Sequence, residues 1–254
     1  MYLNTHSRFS LRYGILSVDD ILSWAQTAKV THMALTDVGT TSANWDFVRR
    51  AKGFGVAPVL GIDVRNGNTR CFVALAQHAE GYQALCQWYS KLNLAGSSFP
   101  DRLPATVREA GVTAIYPWSV WRSAHDLGNW SPLSHGEWIG VQAWELPEVR
   151  LAKADHNPAI GPRLLALCTA TFTCKQDWNA HRLLRAIDQN TLLSRLKASE
   201  CGDPRDCFRK PEELQKAYAG MPELLTRSEE VLAKCTMTLP KPPGGRLHNN
   251  PHTY

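Results

Sequence analysis

A chain of 254 residues with 44% hydrophobic and 20% charged residues can bury one large core, and no stretch approaches the roughly 18 apolar residues of a membrane span. The net charge of +5 is spread along the chain rather than gathered in blocks, so it tolerates a nucleic-acid partner without demanding one. Seven cysteines, at positions 71, 86, 168, 174, 201, 207 and 235, are irregularly spaced and include no Cys-x-x-Cys pair; they suggest neither a zinc ribbon nor a disulfide framework, and with no signal-peptide pattern at the N-terminus they suit a reducing cytoplasm.

The first predicted strand, residues 2–5, ends at His6, and Gly14 suits a turn in the loop 7–16. Ser17 with Asp20 three places later resembles a capping box, and Ile21, Leu22, Ala25 and Ala28 follow at helical spacing. Residues 32–36 form a second strand ending at Asp37; Gly39 turns the chain, Thr41 or Ser42 is placed to cap a helix with Phe47, Val48 and Ala51 inward, and Gly53 and Gly55 end it. Residues 56–62 are a near-continuous apolar strand leading to Asp63, and residues 70–76 are a fourth. The turn signal Asn66-Gly67-Asn68 between them predicts a hairpin. A helix over about 78–92 has Tyr82, Leu85, Tyr89 and Leu92 on one side.

Residues 112–117 and 138–143 read as strands joined by a Trp- and Ser-rich connection with Trp118, Trp121 and Trp130. Clustered tryptophans can stack on bases, but large amphipathic rings more often cover core edges, and that reading is preferred. Residues 163–172 predict another strand, and a long helix from near Asp177 is expected to bury Leu183, Leu184, Ile187 and Leu192. Pro211 and Pro222 open two further helices, the second running to about Cys235. Residues 1–175 are expected to be a barrel core, 176–237 a helical part packed on it, and 238–254 a Pro- and Gly-rich linker or tail.

Short apolar runs ending in His6, Asp37 and Asp63, with helices between them, have the rhythm of parallel strands and crossover helices. In a barrel of such units the C-terminal strand ends share one rim, where these three side chains should meet.

The stretches Asn4-Thr5-His6-Ser7-x-Phe9-Ser10-Leu11-x-x-Gly14, Ala34-Leu35-Thr36-Asp37-x-Gly39 and Gly61-Ile62-Asp63 resemble the opening motifs of the polymerase and histidinol phosphatase (PHP) domain. The closest form is the one at the N-terminus of the bacterial DNA polymerase III alpha subunit. Leu75-Ala76 with Gly81-Tyr82 and Leu85, and the run from His181 to Ser194, resemble later segments of that family. No single motif decides; their order and spacing do. The resemblance covers most of residues 1–240, is weakest from about 95 to 160, and implies a distorted (β/α)7 TIM-like barrel.

PHP domains of this kind bind two or three metal ions at the rim and activate water against phosphate esters, chemistry that needs several donors for each ion. The resemblance puts Asn4-Thr5-His6 where the family has two histidines, Val38 after Asp37 where it has one, and Asp63 where it has a glutamate. It likewise puts Cys71 at a histidine position and Thr169-Ala170-Thr171 near a late Asp-x-His. His6, Asp37 and Asp63, with Cys71 as a fourth, are thus candidates for a vestigial site that could hold one zinc or manganese ion; Asn4, Val38, Thr169 and Thr171 are degenerate positions. A buried hydrogen-bonded cluster without metal is the preferred alternative. His181 is expected to pack on a helix face, and His248 and His252 to be solvated.

There is no Gly-x-Gly-x-x-Gly after a strand, Walker loop, Gly-x-Ser-x-Gly elbow or polymerase Asp-x-Asp. No catalytic residue is assigned. The expectation is a degenerate PHP domain serving as a scaffold for a magnesium-dependent, DNA-directed DNA polymerase. Its partners would be the polymerising core, a proofreading exonuclease subunit and, through the parent, DNA. Two alternatives stand beside it: a metal-dependent phosphoesterase or 3′–5′ exonuclease with a reduced ligand set, and a free-standing binding module.

Overall fold

The computed structural model describes residues 1–126, 132–155, 160–235 and 237. Its strands are β1 (Tyr2–Thr5), β2 (His32–Leu35), β3 (Ala57–Asn66), β4 (Thr69–Ala76), β5 (Val112–Pro117), β6 (Glu137–Val141), β7 (Leu164–Ala166) and β8 (Cys168–Ala170). They form one sheet in the order β7-β6-β5-β4-β3-β2-β1-β8. The strands at its two edges, β7 and β8, are separated in the chain by Leu167 alone. The edges therefore meet, and the sheet is a nearly closed, TIM-like barrel, the α/β fold expected.

The single strand predicted over 163–172 is thus two. The Leu167 amide still bonds to Val141 O at 2.9 Å, while Cys168 already pairs with Tyr2 on the other side; the barrel closes within one residue. β3 and β4 are the expected antiparallel hairpin, with Gly67 at φ +59° in its turn. β4 also runs antiparallel to β5, and the other pairings are parallel.

Helix α1 (Val18–Thr27) starts at the predicted capping box, Ser17 with Asp20. Helix α2 (Asn44–Ala51) does not use Thr41 or Ser42: its cap position is Ala43, and the Ser42 amide turns back to Thr40 Oγ1. Helix α3 (Ala79–Leu94) is capped by the His78 side chain. The structure adds three helices to those predicted, the short α4 (Ala105–Glu109), α5 (Trp118–Asp126) and α6 (Leu146–Asp155). Trp118 and Trp121 are buried on α5, as a core edge requires; Trp130 lies outside the described residues. The C-terminal part holds α7 (Lys175–Asp188), α8 (Pro211–Ala217) and α9 (Glu223–Lys234). The predicted tail 238–254, with His248 and His252, also lies outside the described residues. No helix among the described residues is long and apolar enough to cross a membrane.

Successive strand residues face opposite sides, and the core divides accordingly. Tyr2, Met33, Leu60, Ile62 and Phe72 join the layer between strands and outer helices, while Leu3, Val59, Val73, Leu75, Ile115 and Leu165 make a second cluster. Val231 and Leu232 of α9, with Cys235 just after it, belong to that second cluster, so this helix closes the bore with its apolar face. The Met237 amide bonds to Pro58 O at 2.8 Å, next to the N-terminal end of β3, which places α9 at the end opposite the strand C-termini.

Candidate functional site at the barrel mouth

At the other end the inward positions turn polar. Along β3 the alternation that points Val59 into the bore carries on through Gly61 to Asp63 and Arg65. β1, β2 and β8 bring Asn4 and His6, Thr36, and Thr169 and Thr171 beside them, and all of these are buried. A layer of polar side chains thus roofs the apolar interior.

Asp63 is its centre. Its Oδ2 accepts from Arg65 Nη2 at 2.7 Å, Arg70 Nε at 2.9 Å, His6 Nε2 at 2.9 Å and Asn4 Nδ2 at 3.4 Å. Burial by itself would push this carboxyl up; the Arg65 and Arg70 guanidinium groups reverse that and hold it well below the usual carboxylate range. Burial lowers His6 to about 4 against the opposing effect of Asp63, so the ring is neutral near pH 7. The network assigns its tautomer: Nε2–H donates to Asp63, and Nδ1 accepts from Thr171 Oγ1 at 2.8 Å. Asn4 also donates to Thr169 Oγ1 at 3.3 Å and accepts from Thr36 Oγ1 at 2.7 Å.

Asp37 is held separately. It accepts from the Ser7 amide at 2.6 Å, Ser7 Oγ at 2.7 Å and Ser10 Oγ at 2.7 Å. Burial raises its carboxyl, and the two serines oppose that. The loop that supplies them is folded so tightly that a Cβ on Gly14 would lie 1.8 Å from Ser7 O; close approach, more than turning, is what this glycine serves.

Cys71 goes elsewhere. Val64 pairs with Phe72 but Arg65 pairs with Arg70, so Cys71 is an extra residue in β4, a β-bulge. The bulge puts Cys71 in the outer apolar layer, where Asn66 Nδ2 donates to its sulfur at 3.4 Å, and turns Arg70 toward Asp63. Val38 is half-buried, its amide bonded to Ser10 Oγ at 2.9 Å.

Above the layer, the Arg65 guanidinium stacks on Tyr13, 4.4 Å from the ring centroid, and Tyr13 meets both His6 and His181 edge to face. His181 is buried on α7; its Nδ1–H donates to Tyr13 O at 2.6 Å, and its Nε2 accepts from the Gly202 amide at 2.7 Å. The 201–208 loop closes the side, its Asp206 carbonyl taking the Thr171 amide at 2.8 Å.

Of the predicted residues, His6 and Asp63 are in direct contact, with Asn4, Thr169 and Thr171 around them, while Asp37 and Cys71 have other partners. Arg65 and Arg70 are the residues that sequence reasoning missed. A signal existed: Arg65 lies two places after Asp63, hence on the same strand face, and Arg70 lies across the predicted hairpin.

This donor set does not fit a cluster of divalent ions. The carboxylate beside His6 already faces two cations, the imidazole proton on Nε2 points at that carboxylate, and the Asp37 oxygens are filled by serine donors. Among the described residues no three His, Cys, Asp or Glu side chains converge as a metal-holding group. What the arrangement can do is hold strands β1, β3, β4 and β8 together across the mouth.

The sequence profile of the PHP domain matches residues 3–125. Those residues are a PHP domain. The relatives of the chain as a whole are DNA polymerase III alpha subunits: that of Borreliella burgdorferi is 29% identical over 95% of this chain, and that of Thermus aquaticus 25% identical over 94%. A shorter match, 33% identical over 88 residues, is to the alpha subunit of Ureaplasma parvum. The PHP domain and the helices that follow it are thus homologous to the N-terminal region of these subunits. The chain spans 24% of the Borreliella burgdorferi relative, 23% of the Thermus aquaticus one and 9% of the Ureaplasma parvum one.

Proposed function

We propose that this PHP domain is a structural scaffold of a cytoplasmic replicative DNA polymerase and not a phosphoesterase. One observation carries the reading: the Asp63 carboxylate, where a metal cluster would need its negative charge, is neutralised by the largely buried guanidinium groups of Arg65 and Arg70. Two fixed organic cations supply the positive charge that divalent ions would bring, but a guanidinium group coordinates no water and generates no metal-bound hydroxide. The similarity to alpha subunits supports the partner, the polymerising core of such a chain, which would extend DNA from deoxynucleoside triphosphates with magnesium and associate with a proofreading exonuclease.

The test is a phosphodiester hydrolysis assay on purified protein, titrated with zinc, manganese and magnesium. The expected result is no turnover above the metal-only control and no change in Tm on adding a chelator. Hydrolysis abolished by the chelator and by His6→Ala would overturn the reading in favour of a phosphoesterase or exonuclease.

A further inference from the structure

Helix α7 buries His181, Arg185 and Ala186 and leaves Leu183 and Ile187 exposed, with Leu192 exposed after it, the reverse of the expected face. Three places before His181 and Arg185, and so beside each on the helix, stand Trp178 and Arg182, both half-buried. With residues of the segment 196–204 they line an open cavity of about 450 Å³, a size within the roughly 300–1,000 Å³ of small-molecule sites. No side chain of the Asp63 layer reaches it. The indole is fixed in place, because Trp178 Nε1 donates to Gly202 O at 3.3 Å. The Arg182 guanidinium lies over its ring, 5.1 Å from the centroid, a cation–π contact that orders the long side chain. Lys197 supplies a second cation, and Leu196, Ala198 and Pro204 supply apolar surface.

The nearby carboxylates are engaged. Asp203, the acid in the lining, is gripped by Arg205, which bonds to its two oxygens at 2.8 and 2.6 Å. Glu200 accepts the Lys197 amide at 2.8 Å. Among the described residues neither Arg182 nor Lys197 has a carboxylate partner. The wall feels this positive field: burial pushes the Cys201 thiol up, Arg182 and Arg185 oppose that, and Glu200 reinforces it.

We infer that this cavity binds a nucleoside monophosphate, its phosphate on Lys197 and the edge of the Arg182 guanidinium and its base against Trp178 and the apolar wall. Two unopposed cations match the charge of nearly minus two on a phosphate monoester near pH 7, where a carboxylate would balance only one of them. Guanidinium presents a planar fork of donors to phosphate oxygens. A bare phosphate would leave the flat indole and the apolar wall unused, whereas a base is held by such surfaces. The site lies apart from the barrel mouth and implies no hydrolysis, so it holds whether or not the scaffold reading does.

The experiment is a calorimetric titration of the purified 254-residue chain with dAMP in chelator-treated buffer. Saturable binding is expected with a Kd below about 1 mM. Arg182→Gln and Lys197→Gln should each weaken it at least tenfold, and Arg195→Gln, at an exposed cation outside the lining, should leave it unchanged. Deoxyadenosine and inorganic phosphate should each bind at least tenfold more weakly than dAMP. A second measurement needs no variant: saturating dAMP should slow alkylation of Cys201 in the wild-type chain at least tenfold, read by peptide mass mapping. No binding to the folded chain, an unprotected Cys201, or binding that survives the Arg182→Gln, Lys197→Gln double variant would each overturn the inference. Deoxyadenosine binding as tightly as dAMP would overturn it by removing the role of the cations, and phosphate binding as tightly would overturn it by removing that of the base.

Discussion

Asp63 carries the electrostatics of the barrel mouth. Its carboxylate is fully buried against Arg65 and Arg70, whose side chains are 7% and 14% exposed. Removing one member of a buried ion cluster leaves the others uncompensated, at a cost of about 3–5 kcal/mol. Asp63→Asn should therefore lower the unfolding free energy in urea by about that much, because two guanidinium groups then face a neutral amide; a loss under about 1 kcal/mol, the size of a surface pair, would show that the cluster is not a keystone. Asp206 gives a prediction in pH. Burial pushes its carboxyl up to about 6 from 3.8, with Arg70 and Arg65 opposing and Asp203 and Asp63 reinforcing. The folded state then keeps a proton that the unfolded chain releases between those values. The stability this proton contributes is complete below pH 3.8 and is lost as the pH rises through 6. Asp206→Asn removes the effect, so the stability of the variant relative to wild type should rise by up to about 3 kcal/mol between pH 4 and 7. A difference that does not vary with pH would contradict the assignment.

At the scale of elements, periodicity located helices more reliably than it oriented them. The capping box of α1 and the prolines of α8 and α9 are local signals and stand where expected. The leucine stripe of α7 is as periodic as that of α1, yet it faces solvent because His181 and Arg185 have hydrogen-bond partners on the barrel side and leucine would have none. α9 shows the opposite case: its apolar face fills the bore, and Leu232 is fully buried among Leu3, Val59 and Ile115. Leu232→Ala should cost about 2–5 kcal/mol in thermal or urea unfolding, since strands on every side prevent collapse around the cavity. A cost near zero would mean that α9 does not seal the barrel.

At the scale of the whole molecule, the barrel closes through Leu167, and a buried polar layer centred on Asp63 lies at its mouth. The sequence by itself determined the strand–helix rhythm, the family, and which polar residues stand at strand ends, because these depend on a few neighbouring residues and on motifs with set spacing. The tertiary structure alone decided what those residues meet. A single bulged residue in β4 exchanged Cys71 for Arg70 beside Asp63, one residue between β7 and β8 divided a strand across the seam, and α7 was laid with His181 and Arg185 inward. Each of these outcomes turns on register and on contacts between segments far apart in the chain, where a shift of one residue reverses the face on which a side chain stands.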